Sequence, residues 1–208
     1  MSSESIAGQR RGVGGGIAFV VCGPSGAGKN SVIEGAMRSL ASLSFSVSYT
    51  TRPRRSGEVD GVDYHYISRQ QFNRLLAQGE LVEHVTYLGD QYGTARSQIE
   101  EVFARGEDVV LNIDVEGAKT LRKQGLHDFA VVYVFLAPSS LDLLEERLSA
   151  RGTEDEEQIR ARLEVAAREM KALPVFDYLV LNDELDRSID ELQAIIVAER
   201  CRIFREHD

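Results

Sequence analysis

The chain has 208 residues, 43% hydrophobic and 27% charged, a composition ordinary for a soluble globular protein with one sizeable core and a small appended lobe. Its formal net charge of −9 argues against general nucleic-acid binding, and no apolar run approaches the roughly 20 residues of a membrane helix. Two cysteines at opposite ends, Cys22 and Cys201, and four scattered histidines argue against a disulfide framework or a structural zinc site and fit a reducing, cytoplasmic setting.

Residues 1–16, "MSSESIAGQRRGVGGG", lack the apolar core of a secretory signal and read as a flexible polar leader. "IAFVVC" (17–22) is an apolar run that predicts a strand buried on both faces, with Cys22 as a small buried hydrophobe. "GPSGAGKNSV" follows, and "NSVIEGAMRSL" carries apolar residues at helical spacing. Strand, glycine-rich loop and helix together are the context that a phosphate-binding loop requires. The pattern G-x-x-x-x-G-K-[ST] is met by Gly23, Gly28 and Lys29, but Asn30 stands where a hydroxyl is expected. Backbone N–H groups of Gly23, Pro24 onward through Ser25, Gly26, Ala27, Gly28, Lys29, Asn30 and Ser31 are the candidate ATP cradle, proline itself supplying only a carbonyl. Ser31 does not replace the missing hydroxyl, because one helical step turns a side chain by about 100°.

"FSVSYT" (45–50) reads as a β-rich run, followed by a basic knot of Arg52, Arg54 and Arg55 in an acidic chain, a pattern that suits a small anionic ligand or a solvated surface loop. "DYHYI" (63–67) and "LVEHVTYL" (81–88) read as strands, the second closed by "GDQYG". Ser68 with Gln71, Ser97 with Glu100 and Thr153 with Glu156 are predicted capping pairs. "DVVLNIDVEG" (108–117), "AVVYVFLAP" (130–138) and "YLVLN" (178–182) read as further strands, each followed by a helical pattern, the last helix spanning 185–205. The expected architecture is α/β, a parallel P-loop NTPase-type sheet covered on both faces by helices, with core 17–44 and 96–208, an inserted mixed α+β lobe at 45–95 and a mobile lid at about 150–170.

"GPSGAGK", "SYTTRPRRSGEVDGVDYHY", "LVEH", "YGT", "NIDVEG", "RGTEDEE" and "LVLND" occur in the order found in guanylate kinases, and the chain resembles that family from residue 17 into the last helix. The resemblance implies transfer of the γ-phosphoryl group of ATP to GMP, with Mg²⁺ accompanying ATP and dGMP as a further acceptor. It implies neither a nucleic-acid nor a membrane partner and leaves homo-oligomerisation open. Arg52 and Arg55 match the arginines that hold the GMP phosphate, Tyr64 and Tyr92 the two tyrosines on that phosphate, and Glu83 the carboxylate that reads guanine. Ser48 and Thr94 match hydroxyls of the base pocket, and Asp114 a carboxylate near GMP. Arg147, Arg151 and Arg162 match arginines around the transferring phosphoryl, alongside Lys29 and Arg52. Asn182 and Asp183 lie where the family holds the adenine end.

Each of these residues also has a plainer reading. Tyrosines in alternating strands pack cores, hydroxyls end strands, and the donor-side arginines lie near Glu145, Glu146, Glu154 and Glu157 for helix-surface ion pairs. The chain departs from the family pattern at "TTRPRRSGE", where proline stands one place early and Arg54 takes its usual position. It departs again at Asn112, where the family has aspartate, and at Glu116, where it has glutamine. Both positions expected on the metal side, 30 and 112, are thus neutral asparagine, and Asn30 is the candidate metal contact, directly or through water. The competing readings are a catalytically silent guanylate-kinase-like binding module and a P-loop kinase for another phosphate acceptor.

Overall fold

The computed structural model describes residues 15–87, 89–126, 129–150 and 155–203. Most of the predicted leader, together with Arg151, Thr153 and the end of the predicted last helix, lies outside them.

The large sheet is built from β1 (Ile17–Cys22), β2 (Leu43–Phe45), β7 (Asp108–Asn112), β8 (Ala130–Ala137) and β9 (Tyr178–Leu181) in the order β2-β7-β1-β8-β9, every pair parallel. All six side chains of β1 are buried, as the unbroken apolar run requires of a central parallel strand. Ala18, Val20 and Cys22 face one layer, with α3 (Arg96–Ala104), α4 (Val115–Gln124) and Ala172 of a 3-10 turn at Met170–Val175. Ile17, Phe19 and Val21 face the other, against α1 (Lys29–Ser39) and α7 (Leu185–Cys201). Two-residue periodicity in a single strand thus joins two apolar cores across one sheet. Asp108, buried at the start of β7, accepts from the Ile17 amide at 2.8 Å and from Arg200 Nε at 2.6 Å, which fastens α7 to the N-terminal edge of the sheet.

A second sheet, ordered β4-β3-β6-β5, comprises β3 (Tyr49–Thr50), β4 (His65–Tyr66), β5 (Leu81–Tyr87) and β6 (Asp90–Ala95), with α2 (Arg69–Ala77) between β4 and β5. A pair of helices, α5 (Leu141–Ala150) and α6 (Glu156–Glu169), packs through Leu144, Leu148, Ile159 and Ala166.

Several local expectations are corrected. "FSVSYT" is not one strand: Phe45 belongs to the edge of the parallel sheet and Tyr49 to the second sheet, so the run crosses between them. In "GDQYG" only Gly89 is turn, and Asp90 onward is the first part of β6, which pairs antiparallel with β5. Ser68 and Gln71 do form a capping box, but α3 starts at Arg96 with Ala95 at its N-cap position and no side-chain cap bond, leaving Ser97 inside the helix. The box that opens α6 is Asp155 with Gln158, whereas the expected pair of Thr153 with Glu156 involves a position outside the described residues. Of "DVVLNIDVEG" only Asp108–Asn112 is strand, because Asp114 turns the chain and caps α4.

Candidate active site

Gly23–Gly28 joins β1 to α1, and three of its glycines have φ values only glycine adopts readily: 146° at Gly23, 93° at Gly26 and 83° at Gly28. At Gly28 a Cβ would lie 2.5 Å from Asn182 Nδ2. No side-chain hydrogen bond caps α1, and its first turn carries no acidic residue, so no such group competes for its leading N–H groups. An unclaimed helix N-terminus beside a glycine loop is an anion cradle. It forms a cavity of about 230 Å³ lined by Ser25, Gly26, Gly28, Lys29, Asn30 and Ser31. Lys29 folds back so that Nζ donates to the Gly23 and Pro24 carbonyls at 2.7 and 3.1 Å. Burial pulls its ammonium below the ordinary lysine range, against the opposing charges of Glu169 and Asp114. A phosphate reaching the cradle would find this cation waiting.

Asn182, at the end of β9, donates from Nδ2 to the Ala27 carbonyl at 2.6 Å and is buried. Its side chain therefore holds the loop from behind. Asp183 accepts from the Ser139 amide at 2.9 Å, and its backbone carbonyl accepts from Arg147 at 3.1 Å, so Arg147, Asn182 and Asp183 converge at one edge of the cradle. Arg162 lies on α6.

In the second sheet, β5 pairs with β6 through a register shift between Leu81 and Glu83. The bulge leaves Val82 and Glu83 both buried, where strict alternation would have sent one outward. Thr94, directly opposite, donates its hydroxyl to Glu83 Oε1 at 2.7 Å. Oε2 lies against Gly117 of α4, where a Cβ would come within 2.7 Å. Burial pushes the Glu83 carboxyl up to about 7, with Thr94 pulling against it and Asp114 adding to it. Asp114 caps α4 by accepting from the Gly117 amide at 2.6 Å, and its charge is felt by both Glu83 and Lys29. It connects the cradle with the second sheet.

Arg52 is clamped by Glu58, with NH2 to Oε1 at 2.7 Å and NH1 to Oε2 at 3.1 Å, while its guanidinium lies over the Tyr64 ring at 5.5 Å. Tyr64 meets Tyr92 edge-on at 5.9 Å. The carbonyl of the early proline, Pro53, accepts from Arg52 NH1 at 2.9 Å. Arg54 and Arg55 are both exposed, and the Arg55 amide donates to Glu58 at 2.7 Å. Ser48 is half-buried beside β3, its carbonyl accepting from the His65 amide at 2.9 Å.

Two residues that sequence reasoning passed over emerge here. Glu58 also accepts from the Tyr66 hydroxyl at 2.8 Å, and the Arg52 bonds draw its carboxyl down to about 2. Its only sequence signal was a position in "TTRPRRSGE", three residues beyond Arg55. Glu169, at the end of α6, keeps one buried carboxylate oxygen without a hydrogen-bond partner, and burial raises it against the pull of Lys29. Nothing in its helical neighbourhood marks it in the sequence.

The guanylate kinase family model matches residues 16–199. The chain belongs to the guanylate kinase family. It is 43% identical to the guanylate kinase of Symbiobacterium thermophilum over 91% of this chain and 89% of the relative. With that of Desulfitobacterium hafniense the identity is 39%, over 92% and 94%. The crystal structure of guanylate kinase from Anaplasma phagocytophilum superposes with a TM-score of 0.71 at 30% identity, covering 91% of this chain and 88% of that one. Among the described residues of this guanylate kinase family member, no helix is long and apolar enough to cross a membrane, and both cysteines are free, Cys22 buried as expected.

The metal side differs from the usual P-loop arrangement of a hydroxyl and a carboxylate. Asn112 Nδ2 donates to Asn30 Oδ1 at 2.7 Å, so the amide expected to touch the cation is bonded to its counterpart. Among the described residues no group of three histidine, cysteine, aspartate or glutamate side chains could hold a metal. Two neutral, mutually bonded amides do not fit a divalent cation held by the protein.

Proposed function

We propose that the chain is an enzyme that transfers the γ-phosphoryl group of ATP, carried with Mg²⁺ as its phosphate counter-ion, to GMP, releasing ADP and GDP. The observation that carries the reading is the buried Glu83–Thr94 pair, joined through Asp114 to the lysine of an open phosphate cradle. Guanine presents N1–H and its N2 amine as adjacent donors, which one carboxylate accepts together. Adenine offers an acceptor at N1 and no N2 amine, and would leave a buried carboxylate unpaired.

The acceptor lobe, 45–95, takes GMP with Glu83, Thr94 and Ser48 on the base. Arg52, Arg55, Tyr64 and Tyr92 hold its phosphate, and Asp114 lies between base and cradle. Arg52 is already oriented by Glu58 and the tyrosine rings, so little side-chain freedom is lost when phosphate arrives. The Gly23–Ser31 cradle takes the ATP phosphates, and Lys29 exchanges its two carbonyl contacts for phosphate oxygens. Arg147, Arg151 and Arg162 gather on the transferring group, with Asn182 and Asp183 shaping the adenine edge. A GMP phosphate oxygen is already anionic and needs no general base; alignment and charge neutralisation do the catalysis. Closure of the lid, about 150–170, over the lobe excludes water and suppresses hydrolysis of ATP.

A coupled ADP-release assay with GMP, dGMP, AMP and UMP tests the reading. GMP and dGMP should turn over, with AMP and UMP poorer by ~10³-fold or more in kcat/KM. Nucleotide binding without GMP-dependent turnover would refute it in favour of a silent binding module.

A further inference from the structure

In P-loop nucleotide sites the cation is ordinarily approached by two unlike protein oxygens, the hydroxyl after the lysine and a carboxylate at the end of a neighbouring strand. This chain brings the same two positions together. β7 pairs with β1 so that Asn112 is in register with Val21, which delivers the strand end beside the loop that β1 feeds. Asn30 is the second residue of α1. The two side chains meet in a 2.7 Å amide–amide hydrogen bond.

Both members of the usual pair are therefore replaced, and the replacements complement each other. A serine at position 30 would offer Asn112 an oxygen but leave the site without charge. An aspartate at 112 would confront the oxygen of Asn30 unless that amide turned round. Amide with amide satisfies donor and acceptor with no formal charge, and it places an N–H donor where a carboxylate oxygen would attract a cation. Of the nearby acids, Asp114 accepts from the Gly117 amide at 2.6 Å, Glu116 pairs with Lys119 at 2.8 Å, and the charges of Glu169 and Asp114 are set against that of Lys29.

We infer that Asn30 and Asn112 form one neutral clasp that closes the cation corner of the phosphate loop, so that the protein binds ATP with near indifference to Mg²⁺ and leaves the cation to the nucleotide phosphates. This rests on the reading of the loop as an ATP site. It makes the two asparagines a unit, joined by one hydrogen bond.

The test is ATP binding by calorimetry without GMP, in Mg²⁺ and in EDTA, for the natural protein and the double variant Asn30→Ser/Asn112→Asp. The natural protein should bind ATP with dissociation constants within about 3-fold of each other in the two conditions, whereas the double variant should favour the Mg²⁺ complex by ~10-fold or more, the range in which changed cation surroundings act. Tenfold tighter binding in Mg²⁺ by the natural protein overturns the inference, and so does a folded double variant with an unchanged ratio. If the double variant fails to fold by circular dichroism, the ratio for the natural protein decides alone. Failure to bind ATP in either condition instead refutes the ATP-donor reading, and the inference with it.

Discussion

Glu83→Gln separates what the buried carboxylate does for binding from what it costs the fold. The side chain is 4% exposed, and its carboxyl is raised from an ordinary 4.5 to about 7 chiefly by burial. A carboxyl that binds its proton more tightly folded than unfolded stabilises the fold at low pH. That stabilisation is complete below about 4.5 and is lost as pH rises through about 7. At about 1.4 kcal/mol per pKa unit, the rise corresponds to roughly 3 kcal/mol of destabilisation at pH 8 to 9. Glutamine has the same shape, can still accept from Thr94 and carries no charge to desolvate. The variant should therefore melt roughly 5 °C or more above the natural protein at pH 8.5 and close to it at pH 4.5.

Binding should move the other way. An amide offers guanine one acceptor and one opposing donor, so GMP affinity should fall ~10²-fold or more while ATP affinity stays within about 3-fold. Thermal unfolding at the two pH values and separate GMP and ATP titrations provide the readouts. Equal loss for both nucleotides removes Glu83 from the base pocket. An equal melting shift at both pH values means that burial does not govern its ionisation.

Glu58→Gln should loosen the Arg52 clamp and raise the KM for GMP by ~10-fold with kcat nearly unchanged, because a hydrogen bond to a charged group is worth about 1.5–3 kcal/mol; a fall in kcat alone in steady-state kinetics would argue against a positioning role. Asn182→Ala removes the support of the Ala27 carbonyl and leaves that buried group unpaired, which should cost about 1–3 kcal/mol in denaturant unfolding and raise the KM for ATP more than that for GMP. Equal effects on the two substrates would show that Asn182 does not act through the phosphate loop.

The parallel sheet was legible because its strands are buried on both faces and leave unbroken apolar runs such as "IAFVVC" and "AVVYVFLA". The second sheet was harder to read. β3 and β4 have two residues each, too few for any period, and their partners are set by backbone bonds such as His65 N to the Ser48 carbonyl. β6 was hidden because Gly93 and Asp90 look like turn residues. In the structure Gly93 instead packs under Phe72, Leu81 and the Glu83 carbonyl, where an added Cβ would sit tightly at 3.0–3.1 Å from them. At Ser97 and Glu100 a capping pattern was present in the sequence without being used: the helix starts ahead of it at Arg96, whose amide is taken by the Glu80 carbonyl at 2.8 Å.

The site divides along the same physical line. A phosphate loop is local: its glycines, lysine and following helix lie within a dozen residues and leave a readable spacing. The proposed guanine pocket is not. Glu83 is aimed inward by a bulge, met by Thr94 across a hairpin and closed by Gly117 from helix α4, and no sequence period records those three events. Only the order of family motifs pointed to them. Between these extremes stands the Asn30–Asn112 bond, spanning 82 positions. Each asparagine alone looks like a lapse from a pattern. Joined, donor meets acceptor with no formal charge at the two positions where a hydroxyl and a carboxylate are expected, and so a pair of departures forms one coherent contact.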